Sequence, residues 1–148
     1  MLLLLFQSGN QRFGIDAAEV VEVAPPVVCR KLPHAPAYVA GLANYRGETV
    51  PVIDVSALLT GAPAPLLMST RLVLVRYGGH ILGLLAERAV ETIGCRESDL
   101  QPMPVSVEEG AYLGPVLVDR AGMVQKIAVA GLLPPSVRDM LFPAGEKA

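Results

Sequence analysis

Ala37-Tyr38-Val39-Ala40-Gly41-Leu42-Ala43-Asn44-Tyr45-Arg46-Gly47-Glu48-Thr49-Val50-Pro51-Val52-Ile53-Asp54-Val55-Ser56-Ala57-Leu58-Leu59 decides the fold, because the stretch occurs twice. Shifted by 74 residues, it lies without a gap over 111–133. Identities fall at Ala37/Ala111, Tyr38/Tyr112, Arg46/Arg120, Val50/Val124, Ile53/Ile127, Val55/Val129, Leu58/Leu132 and Leu59/Leu133, which is 8 matches in 23 positions. Composition alone gives roughly 2. Upstream, a shift of 69 sets Gly14, Val21 and Glu22 over Gly83, Val90 and Glu91. The chain reads as one β unit used twice, with a small insertion in the second copy. Each unit offers about five strands, a natural count for a small barrel, and closing a barrel removes edges that would otherwise aggregate. Ala62-Pro63-Ala64-Pro65 is the expected crossing between the units.

Local patterning agrees. Leu2 to Phe6 and Arg71 to Arg76 are continuous apolar or β-branched runs, as expected of strands covered on both faces. Arg12 to Asp16 alternates and should be half-buried. Thr49 to Asp54 is a further strand, placed at an edge or bulged at Pro51, which has no N–H to donate. Frequent Pro and Gly, 13 and 14 residues, favour short strands over long helices. Expected helical pieces are few. Asp16 with Glu19 resembles a capping box, followed by Val20 and Val23 on one face. Pro36 to Ala40 closed by Gly41 fits a single turn, and Ser56 to Leu59 another. Ser136 to Phe142 fits a terminal helix capped by Ser136.

Composition limits the partners. A formal charge of −2 and a pI near 5.6 exclude the clustered cations of a nucleic-acid surface, and no polybasic patch exceeds Arg30-Lys31. Apolar residues make up 52% before glycine is counted, against ~45–50% with glycine in an average domain. The longest apolar runs, such as Met1 to Phe6 and Ile81 to Ala86, fall far short of the ~20 residues of a spanning helix. The excess therefore points to surfaces that meet other proteins. The opening Met-Leu-Leu-Leu-Leu-Phe has neither the basic start nor the cleavage site of a signal peptide. Cys29 and Cys95 read as reduced, packed thiols outside any metal-ligand spacing, and the expected compartment is the cytoplasm.

No catalytic, cofactor-binding or metal-binding constellation emerges. Nucleophile-elbow, phosphate-loop and His-Glu-x-x-His patterns are missing from the sequence. His34, in a Pro-rich loop, and His80, after Gly78-Gly79, read as solvated loop residues. Asp16 and Asp54 end strands and read as helix caps. Asn44 to Gly47 is a turn, with Gly47 suited to positive φ and Arg46 projecting outward. The second copy keeps an Arg, Arg120, but has Val118, Ala121 and Gln125 in place of Asn44, Gly47 and Pro51. The first copy thus carries a turn shape that the shared fold does not require.

At these residues the chain resembles the CheW family, the adaptor that joins chemoreceptors to the histidine kinase CheA. The resemblance begins at Phe13-Gly14-Ile15-Asp16, is densest at Asn44-Tyr45-Arg46-Gly47 and Val50-Pro51-Val52-Ile53-Asp54, and persists through Leu132-Leu133. It implies an all-β fold: two SH3-like five-stranded β-barrel subdomains on a shared apolar core, with short helices including one at the C-terminus. It implies a single domain of this kind over 1–148, with a first barrel at roughly 10–62 and a second at roughly 66–133. The N-terminal strand would cross over, and the terminal helix would span 136–142. It implies no catalysis and no cofactor. A receptor-binding surface would use Val20, Glu22, Gly41 and Arg46, with Asn44 and Gly47 shaping the turn. The partners would be the cytoplasmic tip of a chemoreceptor and, at an apolar end of the second unit, the regulatory domain of a CheA-type kinase. Departures are the absence of a leader, Glu87 displaced to follow Ala86, and Ala128 before the last helix. A role as kinase-regulatory or scaffold module in a related motility or surface-sensing pathway is the alternative.

Overall fold

The computed structural model describes residues 1–63, 67–103 and 112–143. The end of the expected crossing, Ala64-Pro65, and the repeat pair member Ala111 lie outside the described residues. The strands are β1 (Leu2–Ser8), β2 (Gln11–Asp16), β3 (Val20–Ala24), β4 (Val39–Tyr45), β5 (Glu48–Asp54), β6 (Thr70–Tyr77), β7 (His80–Gly94), β8 (Leu100–Gln101), β9 (Leu113–Asp119) and β10 (Gly122–Ile127). Among the described residues there are also two short helices, α1 (Val55–Thr60) and α2 (Pro135–Leu141), and three 3-10 turns.

The repeat is realised at the level of register. Gly83 on β7 lies opposite Val52 on β5, and Gly14 on β2 lies opposite Lys126 on β10, both in parallel pairs. Applying the shifts of 69 and 74 converts one pairing into the other. The Asp54 N–H donates to the Tyr38 carbonyl at 2.7 Å, and the Ala128 N–H donates to the Tyr112 carbonyl at 2.7 Å. Leu72↔Leu85 and Leu74↔Gly83 on β6–β7 likewise answer Leu3↔Asp16 and Leu5↔Gly14 on β1–β2. One set therefore runs β3-β6-β7-β5-β4 and the other β7-β1-β2-β10-β9, with β8 added outside β9.

These sets are not closed barrels, contrary to the expectation. The ten strands form one open sheet whose path runs β3-β6-β7-β1-β2-β10-β9-β8, with β5 and β4 branching from β7. Among the described residues no ladder joins β3 to β4, or the second half of β7 to β9 or β8. Two causes are visible. β7 is long enough, at 15 residues, to serve both sets, so they share one strand. Edge growth is blocked by proline: Pro25-Pro26 follows β3, and Pro102 follows β8, and none of them has an N–H to offer a neighbour. Among the described residues, the outer edge of β4 carries only the isolated bridge between Leu42 and Arg30.

The main apolar cluster lies between the two sets. Phe6, Phe13 and Ile15 from one side meet Ile53, Val73, Leu82 and Leu84 from the other, and Leu132, Leu133 and Val137 cover one end. Smaller clusters sit within each set, around Val52, Leu72 and Leu74 and around Leu3, Leu5 and Val124.

Several local expectations need correction. Asp16 does cap, accepting from the Ala18 N–H at 3.0 Å, but it caps a 3-10 turn over Ala17–Glu19. The residues after it form strand β3, because Val20, Val21 and Val23 are β-branched and Val20 and Val23 pair with Val75 and Val73 on β6. Pro51 lies in an internal strand, and the bulge falls on β4 between Val39 and Gly41. Its partner Leu42 directs both backbone groups to Arg30, at 2.8 Å each, so the pair with Pro51 does not call on an N–H. Ser136 is not a cap: α2 starts from Pro134 with proline at its first position. Asp54, by contrast, caps α1 through the Ala57 N–H at 3.1 Å, and Gly61 closes it in the left-handed conformation.

Gly41 is buried within β4 at φ +135°, where an added Cβ would stand 2.2 Å from the Arg30 carbonyl oxygen. Gly47 has φ +85° with open space around it. Gly41→Ala therefore combines a strained backbone, costing about 1–3 kcal/mol, with a clash against backbone that cannot swing away. We expect it to lower the melting temperature by about 6 °C or more, and Gly47→Ala to lower it by less than half as much. Differential scanning calorimetry on both variants decides; an equal loss would remove the close approach as the cause.

Candidate functional site

The turn between β4 and β5 is a two-residue hairpin loop, since Tyr45 pairs with Glu48. Arg46 has φ +50° and Gly47 φ +85°, so both loop residues are left-handed, the type I′ geometry that matches strand twist. Asn44 stabilises the loop by accepting from the Gly47 N–H at 3.0 Å. In the second copy, Arg120 does not share the positive φ. There Ala121 replaces Gly47, and Asp119 accepts from the Ala121 N–H at 2.9 Å. The same strand pair thus carries two different turns.

Each turn is anchored differently. Arg46 donates to Glu22 on β3 at 2.6 Å, and the Tyr45 hydroxyl donates to the same carboxylate oxygen at 2.8 Å. The Arg46 guanidinium also lies 5.4 Å from the centre of the Tyr45 ring. Donation to Glu22 is the main cause that raises the Tyr45 phenol above its ordinary pKa. These side chains connect β3 to the β4–β5 turn where no ladder does. Arg46 remains 72% exposed, so the pair adds little to stability and leaves most of the guanidinium free for a partner. In the second copy, Arg12 on β2 clasps Asp119 with two hydrogen bonds of 2.8 and 2.9 Å. That clasp, above all, holds the Asp119 carboxyl below the usual carboxylate range.

The four residues expected to form one binding surface are in unlike environments. Glu22 and Arg46 touch. Val20 is half-buried and packs against the main cluster, at the bulge that precedes Glu22. Gly41 is buried and lets the Arg30 segment lie close, so it shapes the chain path rather than a surface. Tyr45 was not singled out from sequence. Its contact crosses 23 positions, and only the neighbouring Arg hints at it. His80 is not a solvated loop residue: its ring stacks on Phe142 at 4.6 Å, and Phe142 stacks in turn near Tyr77 at 5.7 Å. Among the described residues no group of three or more His, Cys, Asp or Glu is placed to hold a metal ion, and no helix is long and apolar enough to cross a membrane.

The CheW-like domain family matches this chain over residues 2–136. The chain belongs to that family. It is similar to the chemotaxis protein CheW of Rhizobium meliloti, at 27% identity over 139 residues, covering 93% of this chain and 90% of that protein. The chemotaxis protein CheW of Treponema pallidum is 30% identical over 106 residues, 69% of this chain and 62% of that one. The crystal structure of the scaffolding protein TtCheW from Thermoanaerobacter tengcongensis superposes with a TM-score of 0.85 at 25% identity, covering 95% of this chain and 92% of that one. CheW-family proteins are non-catalytic adaptors whose general role is to couple chemoreceptors to the CheA kinase, and this chain is a CheW-type adaptor of bacterial chemotaxis signalling.

The Arg12–Asp119 clasp gives a pH-dependent test of the second turn. Asp119 has a lowered folded-state pKa, so its contribution is present above the unfolded value, about 3.9, and is lost as pH falls through the folded one. Asp119→Asn should cost about 1 kcal/mol at pH 7, with its unfolding curve converging on that of the parent chain in acid, once the pH has fallen through the lowered folded-state value. Urea titrations at neutral pH and in acid test this; a difference that persists in acid would mean that the charge is not the origin.

Proposed function

We propose that the Glu22–Tyr45–Arg46 cluster is the receptor-facing site of this adaptor and that it engages the cytoplasmic tip of a chemoreceptor, in the cytoplasm. One observation carries the reading: an exposed Arg is held in a left-handed turn and aimed by a carboxylate on another strand. The strained turn is not needed for folding, because the repeat builds the same strand pair without it. A guanidinium held in place loses less freedom on binding and offers a rigid fork to a carboxylate or a carbonyl. Val20 supports β3 beneath Glu22, Gly41 sets the path of β4, and Asn44 with Gly47 fixes the loop.

We further propose that the kinase regulatory domain meets the other set of strands. Val90, Val118 and Met123 are 71%, 54% and 66% exposed there. Exposed apolar side chains of this size favour a partner that covers them. The turn at Arg46 belongs to the opposite set, so the two contacts leave each other free.

Arg46→Ala should reduce receptor-dependent kinase activation in reconstituted arrays by about 30-fold or more, the scale of losing a desolvated bidentate contact worth about 2 kcal/mol. Melting temperature and kinase-domain affinity should stay within error. Arg120→Ala, at the repeat-related position, should leave coupling unchanged. Equal effects of the two substitutions would reduce Arg46 to a solvated turn residue. Val118→Glu should do the reverse, weakening titration-calorimetric binding of the kinase regulatory domain while sparing receptor binding; unchanged kinase affinity would move that contact elsewhere.

A further inference from the structure

The repeat also relates two concave surfaces. A groove of about 540 Å³ lies between the β4–β5 strands, the β6–β7 hairpin and the end of α2. A smaller one, about 260 Å³, lies between the β1–β2 hairpin and β9–β10. Their linings correspond residue by residue. Gly79, His80 and Ile81 in the first become Asn10, Gln11 and Arg12 in the second under the shift of 69. Leu42, Thr49 and Pro51 become Val116, Met123 and Gln125 under the shift of 74. Six of the eight residues of the smaller groove are therefore repeat counterparts of residues in the larger one.

They differ in what stands over them. In the first groove, Met140, Leu141, Phe142 and Pro143 form one wall, and the Phe142 ring lies flat on His80. Among the described residues nothing equivalent stands over the second, and Met123 is left 66% exposed at its rim. We infer that the second groove is a docking socket for the end of a short helix, carrying an adjacent aliphatic and aromatic residue, presented by a partner protein. The chain itself supplies the chemistry of the piece that the second groove lacks, since in the related groove the Leu141-Phe142 end of α2 forms a wall and packs its ring on His80, the counterpart of Gln11. A volume of about 260 Å³ is below the range of small-molecule pockets, about 300–1,000 Å³, and suits one or two side chains.

The socket's own residues support an apolar, uncharged occupant. Phe13, Val116, Ala121 and Met123 give it apolar walls, and a thioether makes favourable contact with an aromatic ring. Its one cation, Arg12, is already clasped by Asp119, so the site does not call for an anion. The Arg12 guanidinium plane and the Gln11 amide can lie against a ring as His80 does in the first groove. Gln125 is held in place by donating to the Gly114 carbonyl at 3.3 Å.

The inference stands on the repeat and does not depend on which partner the adaptor reading assigns. The test uses a capped synthetic peptide with the sequence of residues 133–143 as the probe. It is titrated to millimolar concentration into the full chain carrying labelled methionine methyls. We expect a saturable shift of the Met123 methyl, at least tenfold weaker binding when the peptide's phenylalanine is replaced by alanine, and loss of binding in Met123→Glu. Because Met123 is exposed, that variant should keep its melting temperature. Absence of a saturable Met123 shift, shifts confined to Met140 and the His80 groove, or indifference to the phenylalanine would each overturn the proposal.

Discussion

Every other strand pairing in this fold depends on one length of backbone, strand β7. Its first half is laddered to β6 from Tyr77↔His80 to Thr70↔Glu87 and, on the other side, to β5 at Gly83, Leu84 and Leu85. Its second half is laddered to β1 from Glu87 to Gly94. The change of partner occurs at a bulge, where Arg88 takes φ +57° and its N–H donates to the Ser69 carbonyl at 2.8 Å. A left-handed non-glycine residue costs about 1–2 kcal/mol. The surrounding ladders offset that cost, and the bend lets one strand serve both five-stranded sets of the single sheet. The main core then fills the space between the two sets, and no separate interface has to be stabilised.

Sharing a strand also explains why closure fails. A five-stranded set closes only if its outer strands meet, and here β3 runs directly into Pro25-Pro26 and the added strand β8 into Pro102. What joins β3 to the β4–β5 turn is instead a side-chain contact, Glu22 with Tyr45 and Arg46. An open seam held by side chains is softer than a ladder and accessible to other molecules. The proposed binding chemistry would then sit where the main-chain hydrogen bonding stops, as it commonly does at irregular positions of a rigid scaffold.

The equivalence of the two copies was readable from sequence as far as the repeat carried it. Identities such as Tyr38/Tyr112 and Val50/Val124 placed the two copies in the register later found in the β5–β7 and β2–β10 pairs. Closure was not readable, because it depends on whether two distant edges meet, and edge residues carry no period that records it. Val20 to Val23 misled for a different reason: a capping signal at Asp16 was followed by residues whose β-branching suited them to pair with β6. The turn at Asn44 to Gly47 was legible because left-handed residues leave a chemical trace, asparagine and glycine. Tyr45 and His80 were not legible, since each finds its partner far along the chain, at Glu22 and Phe142.

Two copies of one backbone have been put to unlike uses by changing few residues. The β4–β5 turn is polar and reaches across a seam; its counterpart is clasped down by Arg12 and flanked by Val118 and Met123. Asn44 and Gly47 allow the first turn to adopt its left-handed shape, and Val118 with Ala121 removes that option from the second. Holding the second turn flat against β2 keeps its apolar neighbours fixed and exposed, which lowers the entropy lost when a partner covers them. An adaptor must hold two proteins at once without letting one contact block the other. Divergence of a duplicated unit offers one way to meet that requirement, because each copy keeps the shared core while its turn residues are free to differ.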